Sequence, residues 1–361
     1  MSCFSVLLIN QNFSCNVLAK NNKTISSLDL VIYSDFESRL YHSLFHAIIR
    51  IIKLQDRIKR FSLDGEDHPK ELYGIISALE CQKNSLQEVI IAKCAYNKEF
   101  EVLAKNNKTI SSLDLVIYSD FESRLYHSLF HAIIRIIKLQ DRIKRFSLDG
   151  EDHPKELYGI ISALECQKNS LQEVIIAKCA YNKEFERLRF NPNNSEDIHK
   201  ELFFLEALKS FCPNITYLYI SNIWLSTQLL EIIGNLQKLQ SLSLWCFISD
   251  IQEEELKIQG MQFAEILPLT LQYLDLGDTW QPYIDIFLIH CNAPLKKLLI
   301  YHLNDEKYTR ALIEFCIRNK ALNYVGVCRY YSDLDENFKK EVEAHFTNVA
   351  LVPRARIVEF L

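Results

Sequence analysis

The sequence predicts an α/β solenoid in which short parallel strands alternate with helices. Three observations predict it. A pattern of three apolar residues, separated by two residues and then by one, recurs eleven times along the 361 residues. The segments between these triplets change to helical spacing. Residues 102–186 repeat residues 17–101 without a single difference. A closed globular core rarely absorbs an insertion of that size beside its original. A solenoid does, because each unit touches only its neighbours.

In chain order the triplets are Ile25/Leu28/Leu30, Ile58/Phe61/Leu63 and Leu86/Val89/Ile91, then the copied set Ile110/Leu113/Leu115, Ile143/Phe146/Leu148 and Leu171/Val174/Ile176. Beyond the duplication follow Ile215/Leu218/Ile220, Leu239/Leu242/Leu244, Leu271/Leu274/Leu276, Leu295/Leu298/Ile300 and Leu322/Val325/Val327. Starts lie 24 to 33 residues apart, apart from one gap of 44 between Leu171 and Ile215. Between strands, Phe36, Leu40, Leu44, Ile48 and Ile51 keep a spacing of three or four, as do Leu72, Ile75, Ile76 and Leu79. Residues 202–211, 229–236, 308–317 and 338–346 read the same way. Pro69, Pro154 and Pro282 stand near the expected helix starts, where proline is tolerated.

Strand, turn, helix and return is the leucine-rich-repeat unit. The expected architecture is a horseshoe with parallel strands on the concave face and helices on the convex face. An all-helical solenoid is the alternative. The recurrent Leu-x-x-Leu-x-Leu pattern and the β-rich segments 215–220 and 239–244 argue against it. The duplication supports the repeat reading, since its length equals three consecutive unit spacings, from Ile25 to Ile110. Whole units preserve strand register, whereas a fractional unit would turn apolar residues to the wrong face. The pattern departs from the strict consensus. Three positions after the third apolar residue, Cys94 and Cys179 meet the expected Asn or Cys, but Tyr33, Phe247 and Thr279 do not. The polar stretch 187–197, with Pro192, reads as a loop or a broken unit.

Composition narrows the function class. Hydrophobic residues make up 48% and charged residues 24%, the balance of a folded chain. A net charge of −5 gives no electrostatic reason to expect nucleic acid or an anionic membrane as partner. Eleven cysteines, an odd number, and an N-terminus without a basic region or cleavage site suggest a reducing compartment, cytoplasmic or nuclear rather than secreted, with mostly buried thiols. No apolar run approaches the roughly 20 residues that span a bilayer.

Signals for catalysis or cofactors are weak. The eight glycines are isolated from one another, which removes phosphate-cradling loops, and Gly-x-Ser-x-Gly is absent. His42 and His46, copied as His127 and His131, are four apart on a helix but have no obvious third metal ligand. The acidic run 64–68 lacks the ligand spacing of a calcium loop. Cys81 and Cys94 have no Cys-x-x-Cys spacing, and buried thiols are expected there. The chain is therefore read as non-enzymatic, without metal or cofactor.

The segment Val6-Leu7-Leu8-Ile9-Asn10-Gln11-Asn12-Phe13-Ser14-Cys15 resembles the tail of an F-box, with Phe13 where tryptophan is usual. With the repeats behind it, the chain resembles the F-box/leucine-rich-repeat proteins of fungal type. The resemblance implies a partial F-box or N-terminal cap over residues 1–16 and a solenoid over 17–361. It implies adaptor contacts through Leu7, Leu8, Ile9 and Phe13, with a Skp-type adaptor and a cullin as partners. It further implies a substrate-recognition subunit of a cullin-type ubiquitin ligase, or a truncated derivative. A free-standing scaffold or regulator with the same repeats is the alternative.

The expected binding surface is the row of residues between and just after the apolar strand positions. In the duplicated half these are Ser27, Asp29, Arg60, Ser62, Asp64 and Glu88, then Ser112, Asp114, Arg145, Ser147, Asp149 and Glu173. In the later half they are aromatic: Tyr217, Tyr219, Trp245, Tyr273, Tyr301 and Tyr324. Tyr and Trp are enriched at protein-binding hot spots, so these six are expected to hold a protein substrate. Tyrosine also favours strands, and some of the six are expected to pack against neighbouring repeats instead.

Overall fold

The structure is a computed structural model that describes residues 2–7, 25–32, 38–65, 69–92, 103, 107–117, 123–150, 154–177, 210, 212–247, 253–278, 280–301, 306–327 and 349–353. The chain forms two compact units. One comprises Met1–Ile175 with Cys179–Cys212, the other Ile176–Lys178 with Pro213–Leu361.

In the first unit β1 (Ser2–Leu7), β2 (Ile25–Ile32), β3 (Arg60–Gly65), β4 (Glu88–Ala92), β5 (Ser112–Ile117) and β6 (Arg145–Gly150) lie side by side in chain order, and β7 (Glu173–Ala177) follows. The pairings from β1 through β6 are parallel. Between them run α1 (Ser38–Leu54), α2 (Pro69–Ala78) and their copies α3 (Ser123–Leu139) and α4 (Pro154–Leu164). In the second unit β8 (Tyr217–Trp224), β9 (Ser241–Phe247), β10 (Tyr273–Asp275), β11 (Lys297–Ile300), β12 (Tyr324–Val327) and β13 (Ala350–Pro353) are likewise parallel and in chain order. Here α5 (Thr227–Asn235), α6 (Glu253–Ile266), α7 (Ile284–His290) and α8 (Glu306–Arg318) alternate with the strands. A parallel sheet needs a crossover after every strand, and strand–helix alternation supplies it. Each unit is thus an α/β solenoid of leucine-rich-repeat type.

All eleven predicted triplets sit at strands, β2 to β12, and every one of their apolar residues is at most 5% exposed. Two further strands, β1 and β13, extend the series beyond those triplets. Phe4 and Val6 pair in register with Leu28 and Leu30, so β1 is placed as a repeat strand. Leu7 lies at its end, opposite Val31. Leu8, Ile9 and Phe13 lie outside the described residues, as do Cys94, Cys179 and the stretch 187–197. The predicted helical segments 202–211, for the most part, and 338–346 also fall outside them.

Helix packing follows from small residues at the contact. A Cβ on Gly74 would collide with Ile49 Cδ1, and one on Gly159 would come within 2.9 Å of Ile134 Cδ1. The glycines let α2 and α4 approach α1 and α3. In the second unit Trp280, 1% exposed, stacks on Phe263 at 5.2 Å between ring centres, and Phe263 meets Phe287 at 5.9 Å.

The first unit carries a polar spine that closes each turn from helix to strand. Gln82 Oε1 accepts from Ile58 N at 2.9 Å, while its Nε2 donates to Ile52 O at 3.0 Å and Gln55 O at 2.9 Å. Gln167 repeats this with Ile143, Ile137 and Gln140. Gln55 accepts from Ile25 N, and Gln140 from Ile110 N while donating to Asn107 O. All four glutamines are buried. The turn leaves backbone groups without ladder partners, and one amide side chain supplies both donor and acceptor. Among the described residues ahead of β8 to β12 the equivalent positions hold Cys212, Leu236, Leu267 and Cys291, while Asn319 keeps a polar role, donating to Ala293 O and Leu295 O.

Candidate functional site

Side chains alternate across a strand, so each triplet leaves one face of the sheet free of core residues. In the second unit the register sorts this face into rows. The first row runs Tyr217, Ser241, Tyr273, Lys297, Tyr324 and Ala350. The second runs Tyr219, Ser243, Asp275, Leu299, Gly326 and Val352. A third begins with Ser221 and Trp245.

Five of the six predicted aromatics have accessible surface: Tyr217, Tyr219, Trp245 and Tyr301 are half-buried and Tyr324 is 44% exposed. Tyr273 departs from expectation. It is 3% exposed and forms an apolar cluster with Leu299, with Val352 packed against the pair. Leu299 is a diagonal neighbour one strand away, within reach of a tyrosine ring. Between Leu299 and Val352 the row passes through Gly326, whose missing side chain leaves the gap that Val352 approaches. The aromatics of the first row, Tyr217, Tyr273 and Tyr324, are two strands apart, separated by Ser241 and Lys297.

Trp245 is fixed by a turn that the sequence reading did not single out. Gly277, at φ +64°, ends the β10 segment, and its N–H donates to Asp275 Oδ1 at 3.1 Å. A Cβ on Gly277 would stand 3.1 to 3.5 Å from the Trp245 indole. The indole therefore lies over a bare backbone. The sequence signal was Asp-x-Gly just after a strand, which pairs a turn-forming carboxylate with a residue tolerant of positive φ.

In the first unit the same face is charged. One row runs Ser27, Arg60, Glu88, Ser112, Arg145 and, one strand on, Glu173; the next runs Asp29, Ser62, Ile90, Asp114 and Ser147; Asp64 and Asp149 follow one step further along their strands. Arg60 Nε lies 3.8 Å from Asp29 and 3.7 Å from Glu88, and Arg145 lies 3.3 Å from Glu173. Burial raises the Glu173 carboxyl above its usual range, with Arg145 opposing and Asp114 adding to the rise. Most of these residues are accessible as predicted, but Ser27 and Ser147 are buried.

The remaining candidates resolve simply. His46 and His131 are exposed on their helices, and no group of three metal-ligating side chains exists among the described residues. Cys81 and Cys166 correct the expectation of burial: both are exposed, within the short 3-10 turns after α2 and α4. Cys212, Cys246, Cys291 and Cys316 are buried. Burial pushes the Cys212 and Cys316 thiols up to about 12 and Cys291 to about 11, so all three stay protonated and unreactive at neutral pH. No helix among the described residues is long and apolar enough to cross a membrane.

No protein-family model matches the sequence, and no curated protein matches it. Among solved structures, a Bacteroides fragilis protein aligns over 75% of this chain and 75% of its own at 11% identity, with a TM-score of 0.45. A chain in the crystal structure of the Rad7 and Elc1 complex in yeast aligns over 95% of this chain and 78% of its own at 13% identity, with a TM-score of 0.49. The assignment of the fold rests on the strand order, the register and the buried triplets.

Proposed function

We propose that this chain is a protein-binding repeat protein that captures a partner on the open face of its sheet and performs no chemistry on it. The observation that carries the reading is the accessible aromatic set of the second unit: Tyr217, Tyr219, Trp245, Tyr301 and Tyr324. These side chains offer large, partly rigid contact area at low entropic cost, and Trp245 is held in place over Gly277 before any partner arrives. We further propose that the bound protein is a substrate for ubiquitination, on the F-box-like segment 6–15. In that reading a Skp-type adaptor and a cullin join the complex.

One observation favours the second reading, a scaffold without a ubiquitin role. Ser2–Leu7 forms a strand in register with β2, which uses part of the F-box-like segment inside the repeat array. Affinity purification from native cells, followed by mass spectrometry, separates the two. Enrichment of a Skp-type adaptor together with a cullin supports the ligase reading. Recovery of other partners without either one removes it. Replacing Tyr217, Tyr219 and Trp245 together by Ala is expected to weaken partner capture by at least about tenfold while the chain stays folded. Loss of folding in that variant would assign the three residues to packing.

A further inference from the structure

We propose that the second unit carries a docking edge for an acidic amphipathic helix of another protein, one with an apolar residue at about every seventh position. The edge is the one where α6, α7 and α8 end and the next strands begin. It is separate from the open sheet face, so the two surfaces stand or fall independently.

Strand–helix alternation brings the C-terminal ends of the helices to one edge of the sheet. Large apolar side chains stand in solvent there. Ile266, the last residue of α6, is 37% exposed, and Leu269, in the turn behind it, 72%. Ile289, one residue before the end of α7, is 48% exposed, and Ile317, one before the end of α8, 61%. Single apolar residues on a surface need no explanation, whereas this set recurs at one place in three consecutive units. The helix ends are tied together. Arg318 of α8 donates to Leu288 O at 2.5 Å and to Cys291 O at 3.3 Å, at the end of α7. His290 of α7 meets Glu265 of α6 at 3.2 Å. A Cβ on Gly234 of α5 would come within 3.1 to 3.3 Å of Ile266, so α6 ends hard against α5. The apolar row is therefore set before a partner arrives, which lowers the cost of ordering it.

Charge states the kind of partner. Lys238, Lys296 and Lys320 are exposed in the turns after α5, α7 and α8. Neither they nor Arg318 form an ion pair among the described residues; Lys238 meets only the neutral amide of Asn214. Glu265, already engaged by His290, is the one carboxylate in the last turns of α5 to α8 and the turns that follow. Cations at helix ends offset the helix dipole, but that leaves the apolar row unexplained. An apolar row flanked by unpaired cations complements a helix with an apolar stripe and acidic flanks. Spacing agrees. Packed helices lie about 8–10 Å apart, a distance that about six to seven helical residues cover. Residues seven apart also return to one face of a helix. A helix laid across the three ends thus meets one apolar site for every two of its turns. A bilayer has no such pitch, and these turns hold no exposed aromatic ring on which a base would stack.

The probe is a peptide of about 20 Ala, Glu and Leu residues, long enough to hold a helix, with its leucines seven apart. One control has the same composition with leucines five apart, which scatter around the helix. A second has lysine for every glutamate. Each is titrated onto the full chain by fluorescence anisotropy at about 50 mM salt, where surface charges are only partly screened. The first peptide is expected to bind at least about tenfold more tightly than either control. The double variants Leu269→Asp with Ile317→Asp, and Lys296→Glu with Lys320→Glu, are each expected to lose that advantage. Equal affinity of the three peptides, absence of binding, or an advantage retained in either variant would overturn the proposal. So would vesicles of anionic lipid binding in place of the peptide. Self-association of the unaltered chain in sedimentation, removed by Leu269→Asp with Ile317→Asp, would give the edge to a second copy and overturn it too. The four substituted side chains are exposed, and a melting curve checks that each variant is folded. If one is not, the spacing series on the unaltered chain decides. Failure to affect capture through Tyr217 and Trp245 leaves this result untouched.

Discussion

At the scale of single residues, the glutamine spine is the most demanding feature of the first unit. Gln82 satisfies one backbone N–H and two carbonyls, all buried. An unsatisfied buried group costs about 1–3 kcal/mol, so Gln82→Leu is expected to destabilise the chain by roughly 3 kcal/mol. Urea denaturation measures it, and a midpoint equal to that of the unaltered chain would show that the amide is dispensable. Gly277→Ala places a methyl at positive φ and against the Trp245 indole. It is expected to cost about 1–2 kcal/mol and to shift the tryptophan fluorescence. Unchanged emission would separate Gly277 from the position of Trp245. The cysteines give a third test. Cys81 and Cys166 are expected to react with an alkylating reagent in the native chain, and the four buried cysteines only after unfolding. The buried thiols also set a pH dependence. An unfolded thiol ionises near 9, whereas Cys212, Cys291 and Cys316 resist until about 11 to 12. Above about 9 the unfolded state therefore releases protons that the folded state keeps, and stability falls as pH rises. A midpoint that holds steady from pH 9 to 10.5 would contradict this.

At the scale of elements, the eleven strands were legible because each needs three apolar residues at fixed spacing to close one turn of core, and no other element produces that spacing. The end strands were not. β1 offers two apolar residues, Phe4 and Val6, in register with Leu28 and Leu30 and no full triplet, and β13 has Leu351 as its buried member. The glutamine spine was missed for a different reason. The consensus places its polar residue after the strand, whereas here Gln55, Gln82, Gln140 and Gln167 stand three or four residues before the triplet. Their recurrence at that offset was the available signal. Of the candidate surface, the rows were legible from alternation alone. The burial of Tyr273 was not, because it depends on Leu299, Gly326 and Val352 arriving on separate strands.

At the scale of the molecule, the repeat organisation predicts that length is negotiable. Removing residues 102–186 deletes β5 to β7 with α3 and α4, and joins Glu101 to Arg187. Glu101 is the copy of Glu186, so the sequence around the junction is unchanged. The shortened chain is expected to fold, with a far-UV spectrum of mixed α/β character and a melting temperature only modestly lower, since stability in such arrays is close to a sum over neighbours. A chain without a cooperative melt would refute the modular account.

The identity of the two copies has a consequence beyond stability. Because the seam between them reads the same on either side, recombination between the copies yields shorter or longer arrays with no novel junction to be tolerated. Array length then behaves as a countable trait. It changes by one triple of strands at a time, and each change adds or removes a complete set of surface charges at an unaltered pitch.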